Sequence, residues 1–126
     1  MNVLFESVDD NPYLADFYED MPKWAFHLQI HFLNSRFSQI KTIQDQKISA
    51  IQDRTIYEDA YIFAMNLYKS KMLNDRDYHT YLALFNSMVE HISAPDLLIY
   101  LKSDVPKLVN QIQKRGRDYE SGMRID

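Results

Sequence analysis

Two adjacent residues, Asp53 and Arg54, set a carboxylate beside a guanidinium directly after a short apolar run at residues 48–52. An arginine can hold phosphate oxygens through two parallel hydrogen bonds, and a carboxylate can serve a divalent cation. The same two charges also suit a structural ion pair, and adjacency alone does not separate the readings. Glu6 ends another apolar run, residues 3–5. A carboxylate just past a strand end can act as a general base, or simply as a solvated loop acid. Lys114, Arg115 and Arg117 surround Gly116. Such a cluster can close over phosphates, or it can be a helix C-terminus with favourable cations and a glycine cap.

Gln29, Phe32 and Arg36 recur at i, i+3 and i+7, so a helix would place them on one stripe. A Gln and an Arg among aromatic residues suit an apolar pocket with a few polar readers, and equally suit side chains that reach out to solvent. Phe63 can stack on a ring, although its spacing alone fits plain core. His27 and His31 stand at i, i+4, a spacing that can hold a metal, but no acid around them completes a known zinc pattern.

The elements that must position these residues follow from periodicity. Residues 3–5 predict a strand, residues 7–12 a turn, and residues 13–20 a short helix. Pro22 suits the first turn of a new helix, and the apolar spacing of Ala25, Leu28, Phe32, Leu33, Phe37 and Ile40 predicts a long helix from residue 23 to 42. A second strand is expected at residues 48–52. Ile56, Ala60, Phe63 and Leu67 then predict a helix to residue 71, and Asn74 or Asp75 caps the next. Tyr78, Leu82, Phe85, Val89 and Ile92 form the apolar face of that helix. Residues 97–101, Leu-Leu-Ile-Tyr-Leu, read as a strand covered on both faces. Ser103, Asp104 and Pro106 introduce a last helix that runs to residue 114. Alternating strands and helices imply an α/β fold with a parallel sheet, in which ligands sit beyond the C-terminal strand ends. Glu6, Asp53, Arg54 and Ser103 all fall at such ends.

Composition narrows the classes. The 126 residues suit a single domain, and 46% hydrophobic against 25% charged residues suit a globular chain. A net charge of -4 lacks the basic excess of a general nucleic-acid binder. The absence of cysteine removes disulfides and thiolate chemistry. No apolar run reaches the roughly 20 residues needed to cross a bilayer, and the N-terminus has no signal-peptide pattern. The expectation is a cytoplasmic protein that acts on neither a nucleic acid polymer nor a membrane. No Gly-x-x-x-x-Gly-Lys-Ser/Thr motif occurs, and two glycines cannot build one.

Taken in order, several segments together resemble the deoxynucleoside kinase family. They are Phe5-Glu6-Ser7-Val8, Asn11-Pro12-Tyr13-Leu14, Lys23-Trp24-Ala25-Phe26-His27-Leu28-Gln29, Leu33-Asn34-Ser35-Arg36-Phe37, Asp53-Arg54-Thr55-Ile56-Tyr57-Glu58-Asp59, Ile62-Phe63-Ala64-Met65-Asn66-Leu67-Tyr68 and Lys114-Arg115-Gly116-Arg117. The resemblance implies a three-layer fold like that of the phosphate-loop kinases, of which residues 1–126 form the central, substrate-binding part of a single domain. It implies phosphoryl transfer from ATP, with Mg2+, to the 5′-hydroxyl of a deoxynucleoside in nucleotide salvage, commonly in a homodimer.

The implied roles follow residue by residue. Glu6 is the base for the 5′-hydroxyl, and Arg54 steadies the 5′-oxygen and the transferred phosphoryl, with Asp53 on the metal side. Gln29, Arg36 and Asp59 read the nucleobase, and Phe63 stacks on it. Tyr18 and Glu120 hold the 3′-hydroxyl, and Arg115 and Arg117 belong to a lid over the phosphates.

The sequence departs from the family in three ways. Ser7 replaces a customary proline after the glutamate, which loosens the turn that aims Glu6. Asp53 and Asn-Pro-Tyr-Leu resemble the bacterial members; the resemblance at Arg36 and Asp59 implies deoxyadenosine, deoxyguanosine or deoxycytidine rather than thymidine, and likeness to the bacterial branch favours the purines. The family's phosphate-binding loop and its first and last strands have no counterpart here. The expectation is a chain that folds poorly alone or is a piece of a longer one, with a non-catalytic nucleoside-binding fragment or interaction module as the alternative function.

Overall fold

The computed structural model describes residues 2–4, 11–47, 49–102 and 104–115. Strand β1 (Asn2–Leu4) and strand β2 (Ala50–Gln52) pair in parallel, Val3 opposite Ile51 and Leu4 opposite Gln52. The ladder continues one step further, where the Asp53 N–H donates to the Leu4 carbonyl at 2.9 Å. Alternation assigns the faces. Val3 and Ile51 share one face and are about half exposed, while Leu4 and Gln52 share the other and are more covered.

Between the strands run helix α1 (Leu14–Glu19) and helix α2 (Met21–Gln46). Pro22 lies in the first turn of α2, where its missing N–H costs no hydrogen bond. No further proline and no glycine interrupts the 26 residues, which extend about 39 Å at helical rise. The helix ends at Lys47, whose backbone is left-handed. Ala25, Leu28, Phe32, Leu33 and Ile40 are buried along its inner side. The Gln52 carboxamide of β2 donates to that of Gln39 at 2.7 Å, which fastens the sheet to α2.

After β2 the chain turns through Arg54, another non-glycine residue with positive φ, into helix α3 (Ile56–Glu58). A π-helical segment (Asp59–Ala64) follows, then helix α4 (Met65–Lys69). The expected single helix over residues 56–71 is thus an α–π–α run. The Asn74 side chain caps helix α5 (Asp75–Val89) by accepting from the Asp77 N–H at 2.8 Å. Tyr68 of α4 stacks on Tyr78 of α5 with centroids 4.3 Å apart. Helix α5 packs on α2, α4 and the π-helical segment, burying Tyr78, Tyr81 and Phe85.

The chain divides into two units, residues 1–93 and 94–126. The second contains helix α6 (Val105–Arg115), where the Asp104 carboxylate accepts from the Lys107 N–H at 2.9 Å. Residues 97–101 correct the sequence expectation: they form no strand, and Leu97 to Leu101 are 67–88% exposed. An extended segment becomes a strand only when a neighbour pairs its N–H and C=O groups, and no described residue lies in a ladder with this one. The apolar run has strand composition without a strand partner. No described helix is long and apolar enough to cross a membrane.

Candidate functional site

The α2 stripe forms as its spacing requires, and it faces inward. Gln29, Phe32 and Arg36 are 4%, 7% and 1% exposed, so neither polar side chain extends to solvent. A buried guanidinium needs a counter-charge and hydrogen bonds, because taking it out of water costs several kcal/mol or more. Asp59 supplies one. Arg36 Nε donates to Asp59 Oδ2 at 3.2 Å, and the carboxylate is itself 1% exposed. The Arg36 guanidinium also lies 5.9 Å from the centre of the Phe32 ring, one turn back on the same helix. The carboxamide oxygen of Gln29 is buried with no hydrogen-bond partner among the described residues. An acceptor left in this state costs about 1–3 kcal/mol, which a ligand donor would recover.

Asp59 opens the π-helical segment, and Phe63 lies near its end. Such segments are uncommon and recur at functional sites. Here the wider turn buries Asp59, Ala60 and Ala64 while Tyr61, Ile62 and Phe63 remain exposed. Phe63 is therefore not the core residue its spacing suggests, being 37% exposed. Its ring carries the Arg54 guanidinium at 4.1 Å from the centroid, a cation–π contact. Asp53 is exposed beside Arg54 at the C-terminal end of β2, where a parallel sheet presents its ligand site.

Tyr18 sits half-buried on α1, which packs along α2, and its ring meets that of Phe17 at 5.3 Å. Arg115 lies exposed in the last turn of α6, in the second unit. Glu6, Arg117 and Glu120 lie outside the described residues, as do Phe5, Ser7, Ile48, Ser103 and Gly116. His27 and His31 join a cluster of rings with Tyr13 and Trp24, and no group of three or more His, Cys, Asp or Glu forms a metal site among the described residues.

One buried group escaped the sequence reading. Tyr81 of α5 is 0% exposed, and its hydroxyl has no hydrogen-bond partner among the described residues. Burial, then the Asp59 carboxylate, push that hydroxyl above the ordinary phenol range. Tyr81 lies outside the face of Tyr78, Leu82, Phe85, Val89 and Ile92 that the apolar spacing marks, so the periodicity gave no sign of its burial.

Comparison with known proteins identifies the family. The deoxynucleoside kinase family model matches residues 1–126. A deoxyadenosine/deoxycytidine kinase of Bacillus subtilis (strain 168) is 46% identical over 91% of this chain and 54% of its own length. A deoxyadenosine kinase of Dictyostelium discoideum is 46% identical over 97% of this chain and 49% of its own. A solved structure of deoxyadenosine kinase from M. mycoides with bound dATP superposes with a TM-score of 0.86 at 32% identity, covering 98% of this chain and 63% of that one. The chain thus spans about half the length of the curated relatives it matches. Its short parallel sheet and helices are part of the phosphate-loop kinase fold of these neighbours. With the whole chain matched by the family and two relatives at 46% identity, this protein belongs to the deoxynucleoside kinase family.

Proposed function

We propose that the protein carrying this chain transfers the γ-phosphoryl of ATP to the 5′-hydroxyl of a deoxynucleoside, deoxyadenosine or deoxyguanosine before deoxycytidine, with residues 1–126 as the central acceptor-binding part of one kinase domain. The observation that carries the reading is the buried Arg36–Asp59 pair, whose arginine shares a face of α2 with the buried oxygen of Gln29, unpartnered among the described residues. A charge pair and a free carboxamide oxygen inside an apolar setting can read the polar edge of an uncharged base. Phe63, half in solvent, offers a ring for stacking. The names of the relatives agree with a purine preference.

In the reaction the 5′-oxygen forms a bond to the γ-phosphorus, the bond from that phosphorus to the β–γ bridging oxygen breaks, and ADP leaves. Glu6 takes the 5′-hydroxyl proton. Arg54 steadies charge on the equatorial oxygens, and Arg115 and Arg117 close over the phosphates. Such transfers rely on alignment and electrostatics more than on covalent help from the protein. Tyr18 and Glu120 hold the 3′-hydroxyl. Asp53 is an exposed carboxylate that belongs to no group of three or more His, Cys, Asp or Glu among the described residues, and it would help to hold Mg2+ bound mainly through phosphates and water. The ion would supply charge neutralisation at the phosphates. The protein works in cytoplasmic nucleotide salvage as a homodimer.

Phosphoryl transfer from labelled ATP to each of the four deoxynucleosides tests this. Transfer to the purines ahead of thymidine is expected. Nucleoside binding by calorimetry without transfer would instead identify a non-catalytic nucleoside-binding relative, and neither binding nor transfer would overturn both readings.

A further inference from the structure

The contact between Phe63 and Arg54 joins two parts of the site that the reaction uses separately. We propose that Phe63 is a positioning residue for Arg54, so that the ring which stacks on the base also sets the cation at the phosphoryl group. The inference rests on the proposed kinase reading.

The Arg54 backbone has φ 67, in the left-handed region that a side chain with a Cβ occupies at a cost of about 1–2 kcal/mol. Contacts elsewhere must hold it there. One contact of its cation is with the Phe63 ring, at 4.1 Å from the centroid. The negative face of a phenyl ring attracts a guanidinium by about 0.5–1 kcal/mol at an exposed position. That is enough to bias a long, rotamer-rich side chain toward one placement.

Phe63 is itself well anchored. It shares the π-helical segment with Asp59, whose carboxylate is fixed to Arg36 of α2 at 3.2 Å. Ala60 and Ala64, on either side of it in sequence, are 0% exposed. The ring is thus presented from a segment clamped by the base-reading pair, while Arg54 approaches it from the end of β2. A ring has two faces. With Arg54 over one face, a stacked nucleobase would take the other, so that ordering the ring from the base side would also order the cation.

The test separates stacking from positioning. Stacking that is equal in the ground and transition states changes substrate affinity alone, whereas misplacement of Arg54 lowers the chemical rate. Single-turnover transfer at saturating deoxynucleoside and ATP is measured for Phe63→Leu and Phe63→Tyr in the complete kinase. Leucine keeps apolar bulk and loses the ring face; tyrosine keeps the face. The expected result is a rate about tenfold lower in Phe63→Leu and restored in Phe63→Tyr. In an Arg54→Met background, Phe63→Leu should add no further loss of rate. A weakened nucleoside affinity with an unchanged saturating rate would overturn the proposal and leave Phe63 as a stacking residue only. Unchanged rate and affinity would overturn the stacking assignment as well. Independent losses in the double variant would also overturn the proposal, whereas a normal rate in Arg54→Met alone would remove Arg54 from the reaction.

Discussion

Arg36 and Asp59 lie 23 residues apart and meet through one charge-assisted hydrogen bond of 3.2 Å, each only 1% exposed. Deep burial makes the pair asymmetric under mutation. Removing one member of a buried charge pair costs about 3–5 kcal/mol, because the other loses a counter-charge that water cannot replace, whereas replacing both by apolar groups is often close to neutral. Asp59→Ala alone should therefore lower the unfolding midpoint strongly, and Arg36→Met with Asp59→Ala should recover most of it. The same double variant should move the preference toward thymidine, measured as kcat/KM ratios. An unaltered ranking would take the pair out of base reading and leave it a structural feature.

The sequence carried the outline of this site because helical period is a strong signal when a stripe is long. Gln29, Phe32 and Arg36 are separated by whole turns of an uninterrupted helix, and all three are buried together. Three features were not legible. Residues 97–101 have strand composition, but a strand is a property of two segments, and composition describes only one. The π-helical segment depends on one extra residue per turn, which no spacing of Ile56, Ala60 and Phe63 distinguishes from an ordinary helix. The left-handed turn at Arg54 has no glycine to mark it. Its cation–π partner lies nine positions away, beyond any local pattern.

Tyr81 offers a test of how the interior tolerates a stranded hydroxyl. The ring is fully buried, and its oxygen has no hydrogen-bond partner among the described residues. Deleting such an oxygen removes a desolvation penalty and no bond, so it is neutral or stabilising. Tyr81→Phe should leave the thermal midpoint unchanged or raise it by a few degrees, on the order of 1 kcal/mol. A clear fall would show that the hydroxyl is bonded in solution.

His31 sets a pH dependence with a definite sign. Burial holds its imidazole below the ordinary value of 6.5, and Nε2 is buried with no partner among the described residues to accept a proton's hydrogen bond. Well above pH 6.5 both folded and unfolded states are neutral at this group, and its contribution is flat. Below that value the unfolded state binds a proton that the folded state refuses, so stability falls as pH drops until the folded pKa is passed. His31→Phe keeps a ring against Tyr13 and Phe32 and removes the titration. Urea midpoints measured between about pH 5 and 7.5 should fall less steeply toward acid in the variant than in the parent. Parallel curves would show that His31 is as well solvated in the folded protein as in the unfolded one.

Glu6 follows Leu4 by two residues, and Leu4 accepts from the Asp53 N–H at the shared end of the two strands. The proposed phosphoryl-steadying arginine thus follows a strand end that is paired with the end of β1, the kind of position where parallel sheets place ligands, while Glu6 itself lies outside the described residues. Glu6→Gln keeps the size and the hydrogen-bonding capacity of the side chain and removes its ability to take a proton. If Glu6 accepts the 5′-hydroxyl proton, single-turnover transfer should fall by about 10²-fold or more, while deoxynucleoside affinity stays close to that of the parent. A loss of affinity with the saturating rate intact would make Glu6 a binding group rather than a base. An unchanged rate would remove Glu6 from the role and mean that the hydroxyl proton leaves by another route.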